Sequence, residues 1–277
     1  MTTQTARTAS GAAATVSRHG VNTLRWVLER AWLPVLLVAV WWFASEGRDS
    51  LYFPSLSTIV ETTREELLGP GLTQHPLPSL GKFLIGFLLA AVLGIVFGTI
   101  IGLSPVIRAA VEPIVQFLRS LPPPVLIPVA MLLFGIGVPM NIAIIVIGSV
   151  WATLLNTIDG VNGVDTQLRD VARSYRLSMW NYLSRIVLPS AGPQIFAGLR
   201  TTLQLSIILI VVAEMMGSTN GIGYYLLSSQ QVFAVPQTWA ATLVLGAIGY
   251  LTNLAFLQVE KRVLRWQIGL LSAQGRN

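Results

Sequence analysis

Few residues in this chain can do chemistry on a substrate. There is no cysteine, and the two histidines, His19 and His75, stand far apart, which excludes thiolate chemistry and the common zinc spacings. The single Gly-Lys pair, Gly81-Lys82, is followed by Phe83, and Pro76 stands where a phosphate-cradling loop needs its first glycine. No nucleophile and base can be paired, so no catalytic residue and no metal ligand is assigned. What remains are isolated polar groups inside long apolar stretches: Glu214, Asn141 and Gln204. Such groups mark either a pathway or a hydrogen bond between helices. For Glu214, near the outer end of its span, a helix-paired or interfacial role outweighs substrate contact. Pro123, in the run Pro122-Pro123-Pro124, joins the possible pathway or gate residues, since three prolines cannot sit in an uninterrupted helix and should bend the chain where a span begins.

The elements that must position these groups are set by composition. Of 277 residues, 53% are hydrophobic and 11% charged, against roughly 25% charged in an ordinary soluble domain. Phe83 to Ile107 and Ser120 to Ile158 carry no charge, and only lipid makes such runs stable as exposed helix surface. The expected fold is all-α: a polytopic membrane protein with apolar spans at about 31–46, 82–103, 114–134, 138–155, 196–216 and 238–259, each near the ~20 residues a bilayer requires. The first run competes with a secretory signal peptide, but Trp32, Trp41 and Trp42 favour an uncleaved helix.

Six spans with the N-terminus inside place 15 of the 18 lysines and arginines on the cytoplasmic side, as the positive-inside rule requires. Both termini are then cytoplasmic. The opposite side keeps Arg48, Arg64 and Lys82. The net charge of +6 does not indicate nucleic acid, because the arginines flank apolar runs instead of forming one basic face.

Residues 1–22 read as a disordered cytoplasmic tail, 23–265 as the membrane domain and 266–277 as a C-terminal tail. Thr58 and Glu61 resemble a capping box that opens a short outer helix through Leu68. In the second span Gly86, Ala90, Gly94, Gly98 and Gly102 recur at every fourth position. This spacing lets another backbone approach closely and suggests a buried helix near the centre of the bundle, with the partner in this chain or in a second copy. The connection from Asn156 to Gly198 is the longest on the inner side. Arg169, Arg173 and Arg176 fall at helical spacings there, followed by an apolar stripe of Trp180, Leu183 and Val187 before Pro189 ends the helix.

That connection carries a specific resemblance. DVARSYRLSMWNYLSRIVLPSAGPQIFAGLR, from Asp170 to Arg200, is similar to the EAA loop of ABC importer permeases. FPSLSTIV from Phe53, FLRSLPPPVLIPVAMLLFGIG from Phe117 and VVAEMMGSTNGIGYYL from Val211 resemble the nitrate, taurine and alkanesulfonate branch of that family. Asp170 replaces the motif's Glu, Val171 its first Ala, and Arg176 its Gly, so the turn there must be made differently.

The resemblance implies a coupling contact formed by Asp170, Val171, Ala172, Arg173, Arg176 and Leu177 on a separate ATP-binding cassette ATPase. ATP and Mg would be bound in that partner, with no cofactor in this chain. It also implies an extracytoplasmic substrate-binding protein, a second permease chain, in the first instance another copy of this one, and a bacterial cytoplasmic (inner) membrane surrounded by lipid. The implied function is a permease subunit that forms the path for a small, anionic solute. The alternative is a stand-alone secondary transporter or channel, which would show inverted repeats and midplane charges; the sequence shows neither.

Overall fold

The computed structural model describes residues 32–47 and 50–265. The expected tails, 1–22 and 266–277, lie outside them. Residues up to Val60 and residues from Glu61 onward form two compact units, taken in turn.

In the first unit, α1 (Trp32–Ser45) is apolar and about 21 Å long at 1.5 Å per residue, short of the ~30 Å hydrocarbon core. Pro34 lies in its first turn, where no backbone donor is needed. Ser45 Oγ accepts the Leu56 N–H at 3.3 Å and Ser57 Oγ donates to Glu46 at 3.4 Å, tying the end of α1 to the start of α2 (Leu56–Thr62). The cap of α2 is Ser55, whose hydroxyl accepts the Thr58 N–H at 3.3 Å. Thr58 is thus already inside the helix, and the expected capping box gives way to a serine three residues earlier.

The second unit continues α2 through a π turn (Thr63–Leu67) and a 3₁₀ turn (Pro70–Thr73). The helices that follow are α3 (Pro76–Leu103), α4 (Pro105–Ser120), α5 (Ile127–Phe134), α6 (Val138–Asn162), α7 (Thr166–Ser174), α8 (Met179–Tyr182), α9 (Leu188–Gly217), α10 (Ile222–Gln231) and α11 (Val235–Val263). Among the described residues there is no strand. Four stretches are long and apolar enough to cross a membrane by themselves: Pro70–Leu103, Val138–Asn162, Met179–Gly217 and Val235–Val263.

The segment expected to span at 114–134 is not one helix. α4 and the Pro123–Phe134 segment meet at an 89° bend. The prolines force it: Leu121 and Pro122 both take extended ψ values of 122°, as residues preceding proline must. The break therefore falls inside the expected span, and α5 alone, about 12 Å long, cannot cross a bilayer.

α6 is the central helix, with α3 packed on one side and α9 on the other. The small residues of α3 meet α6 of this same chain. A Cβ on Gly94 would stand 2.7 Å from Thr153 Cβ, one on Gly98 2.7 Å from the Leu154 carbonyl, and one on Gly102 2.9 Å from Val161 Cβ. The other face of α3, with Leu84, Leu88, Val92 and Val96, is exposed and apolar, so α3 flanks the bundle instead of forming its centre. On the neighbouring face of α6, a Cβ on Gly198 would lie 2.7 Å from Asn156 Cβ. Close approach on both faces lets backbones pack where apolar burial supplies no driving force.

Pro189 does not end a helix. Met179–Gly217 runs as one stretch through a π turn at Leu183–Val187, in which the Leu188 N–H donates to the Leu183 carbonyl. The wider turn shifts the hydrogen-bond register just ahead of Pro189, which has no donor of its own to lose. α9 consequently begins far earlier than its sequence pattern suggests, and the real connection after α6 shrinks to residues 163–178 around α7.

Candidate functional site

The two ends of α3 carry two different sites, about 30 Å apart along the helix axis. At its start, Lys82 and Glu214 form an ion pair at 2.8 Å with side chains 3% and 1% exposed. Lys82 was expected at the outer edge of the second span; it lies one and a half turns inside α3, facing α9. The pair is fully supported. Ser79 donates to Glu214 at 2.7 Å and accepts the Ile222 N–H at 2.7 Å, while the Gly223 N–H donates to Glu214 at 3.0 Å. Lys82 Nζ also donates to the Asn220 side-chain and main-chain oxygens at 2.8 and 3.1 Å, and to Ser218 at 3.1 Å.

Glu214 is thereby placed at the N-terminus of α10, where backbone donors and the helix dipole favour a carboxylate. Gly221, at φ 108°, has no room for a side chain, because a Cβ would collide with the Glu214 carboxylate. The cluster binds α3, α9 and α10 together, and the Glu214 carboxylate is turned into the protein instead of toward an open passage. Sequence reasoning missed Lys82 and Ser79 as its partners. The usable signal was one Lys and one Glu of opposite charge at the same end of two spans.

Asn141, Gln204 and Pro123 are not brought together. Asn141 is fully buried near the start of α6, and its side-chain amide has no hydrogen-bond partner among the described residues. Gln204 lies exposed on α9. Pro123 packs against α6 at Gly148, where an added Cβ would stand 2.9 Å from its ring. A polar seam instead joins α6 and α9: Thr153 and Thr202 hydroxyls lie 2.7 Å apart, and Ser206 donates to Ser149 at 3.2 Å, all four fully buried.

At the other end of α3 sits α7. Asp165 caps it by accepting the Gln167 N–H at 2.8 Å. Its end is closed by the Leu177 N–H donating to the Ala172 carbonyl and the Arg176 N–H to the Arg173 carbonyl, both at 3.0 Å. This is a Schellman turn, and Arg176 adopts φ 50° at the position usually held by glycine. The substitution of Arg for Gly thus leaves the left-handed turn in place instead of replacing it. Arg176 is consequently off the helix, whereas Arg169 and Arg173 are on it.

Ala172 is buried and anchors α7 to the bundle. Asp170 and Arg173 form a loose pair at 3.8 Å, both largely exposed. Leu168, Val171 and Tyr175 form an exposed apolar stripe on one side of α7, with Tyr175 78% exposed. Leu168 and Tyr175 were absent from the sequence-based contact set, although their spacing with Val171 is that of one helix face.

Comparison with known proteins agrees with this architecture. Residues 90–265 match the family model for the binding-protein-dependent transport system inner membrane component. The chain is 31% identical over 237 residues to a Bacillus subtilis protein named as an aliphatic sulfonates transport permease, SsuC, covering 85% of this chain and 86% of that one. It is 35% identical over 233 residues to the bicarbonate transport system permease protein CmpB of Synechococcus elongatus, covering 80% and 84%. To the nitrate import permease protein NrtB of Leptolyngbya laminosa it is 29% identical over 252 residues, covering 88% and 90%. A solved inward-facing MetNI methionine ABC transporter shares its fold at a TM-score of 0.62 and 17% identity, over 69% of this chain and 95% of that one. An amino acid ABC transporter does so at a TM-score of 0.55 and 14% identity, over 75% and 97%. The chain belongs to the family of binding-protein-dependent transport system inner membrane components and is the transmembrane permease subunit of an ABC importer.

Proposed function

We propose that two copies of this chain form the path for a small oxyanion, of the sulfonate, bicarbonate or nitrate class, and that α7 transmits movement from a separate ATPase subunit. The observation that carries the coupling reading is the exposed stripe Leu168, Val171 and Tyr175 on a helix anchored by the buried Ala172 beside it. Apolar side chains of that size, projecting from a short capped helix, fit the helix-in-groove mode of recognition. Asp170 and Arg173 pair with each other on the side of α7 away from the stripe, while Arg176 and Leu177 fix its exit angle. ATP binding would close the ATPase pair and carry α7 with it, rocking the bundle between inward-open and outward-open states that differ in their affinity for solute.

The small-anion reading rests on the relatives' names and on the neutralisation of Glu214 by Lys82, which removes the charge that would repel an anion. The exposure of Gln204 in the middle of α9 supports a position for it at the interface between copies or along the path, since lipid would leave its amide without partners. A binding protein outside the membrane delivers the solute, and the α7 end is cytoplasmic.

The chain contains no cysteine, so a single cysteine introduced at Tyr175 gives an unambiguous cross-linking probe. The assembled transporter should trap an ATPase subunit through that position and lose solute-stimulated hydrolysis when Val171 is replaced by Glu. Cross-links only to lipid-exposed positions of another permease, with hydrolysis unchanged in V171E, would refute the assignment.

A further inference from the structure

Three arginines converge on one concavity at the α7 end of the bundle. Arg169, Arg173 and Arg176 line a cavity of about 420 Å³ whose apolar wall includes Leu103, Met179 and Tyr182. That volume is within the range of small-ligand sites, and no Asp or Glu lines it. Arg169 is held by two carbonyls at the end of α6, Val161 and Asn162, each at 3.0 Å, yet its Nε is buried with no partner among the described residues. The cavity lies on a different face of α7 from the Leu168, Val171 and Tyr175 stripe, and its three positive charges are offset only by the loose, exposed pairing of Arg173 with Asp170.

We propose that this cavity binds the phosphate group of an anionic phospholipid. A guanidinium cluster recognises phosphate by directed, charge-assisted hydrogen bonds, and a basic pocket between membrane helices at their cytoplasmic end is suited to a lipid headgroup. What selects lipid over free phosphate is the surface leading to the cavity. Val92, Val96 and Ile100 are exposed on one face of α3, at spacings of four, and the same face continues to Leu103 in the cavity wall. An acyl chain lying along that track delivers its phosphate to the arginines. Met179, in the cavity wall, and the next residue, Trp180, are 63% and 76% exposed, and Trp is a side chain suited to headgroup depth. The inference depends only on α3 being a membrane span and is independent of ATPase docking.

Native mass spectrometry of the full chain, purified without its ATPase and titrated with phosphatidylglycerol or phosphatidylcholine, tests it. Wild type should retain phosphatidylglycerol about tenfold better than phosphatidylcholine, and R169Q/R176Q should lose most of that preference. R173Q, at an exposed side chain, should lose part of it and serves if the double variant does not fold. Equal retention of the two lipids by wild type, or an unchanged preference in these variants, overturns the proposal. Displacement of phosphatidylglycerol by millimolar inorganic phosphate with no preference for the lipid would reassign the cavity to free phosphate and overturn the lipid assignment.

Discussion

Lys82 and Glu214, separated by 132 positions, meet at 2.8 Å inside the bundle with every charged oxygen and donor engaged. Removing one partner of a buried pair leaves the other charge uncompensated, at a cost of about 3–5 kcal/mol, whereas removing both is far cheaper. K82M and E214M should each sharply lower the thermal midpoint of the detergent-purified chain, and K82M/E214M should recover much of the loss. Additive losses in the double variant would show that the two side chains act separately.

Gly94 and Gly98 face α6 within this chain, with no space for a Cβ. G94L and G98L should therefore prevent the monomer itself from folding, read as loss of a monodisperse species on size exclusion. A stable monomer that fails only to pair with a second copy would move the glycine face to the subunit interface.

Arg176 holds φ 50°, a conformation costing a non-glycine residue roughly 1–2 kcal/mol. R176G should stabilise the α7 turn and slow hydrogen exchange at Tyr175 and Leu177, while R176V should accelerate it. Faster exchange in R176G would mean that side-chain contacts of Arg176 outweigh the backbone strain.

Asn141 is buried without a partner for its amide. An unsatisfied buried polar group costs about 1–3 kcal/mol, so N141L, of similar volume, should raise the thermal midpoint. Reduced import in the same variant would assign the amide to solute contact, whereas unchanged import with the gain in stability leaves it structural. A lowered midpoint would show that the amide is bonded in the folded membrane protein.

The structure also separates local from distant information. Runs such as Val138–Asn162 and Val235–Val263 were legible because apolar length alone dictates a span, and the α7 segment was legible because its residue pattern is local. The bend at Pro122 was anticipated, but its position within the span was not, since the proline run fixes where α4 stops without fixing how long α4 is. Pro189 misled for a related reason: proline terminates a regular helix, but a π turn immediately before it lets the helix continue.

Hydrocarbon as the solvent, the helical class, the spacing that makes one face of α3 small, and the motifs that tie the chain to importer permeases were all readable from the residues in order. Each of these is a property of neighbouring residues. Only the tertiary structure decided that the small face of α3 packs on α6, that Lys82 neutralises Glu214, and that α7 exposes its apolar face while its arginines turn to the end of α3. Those outcomes depend on which helices become neighbours and in what rotation. In a bilayer, where apolar faces are interchangeable, close packing and the pairing of polar groups set that choice.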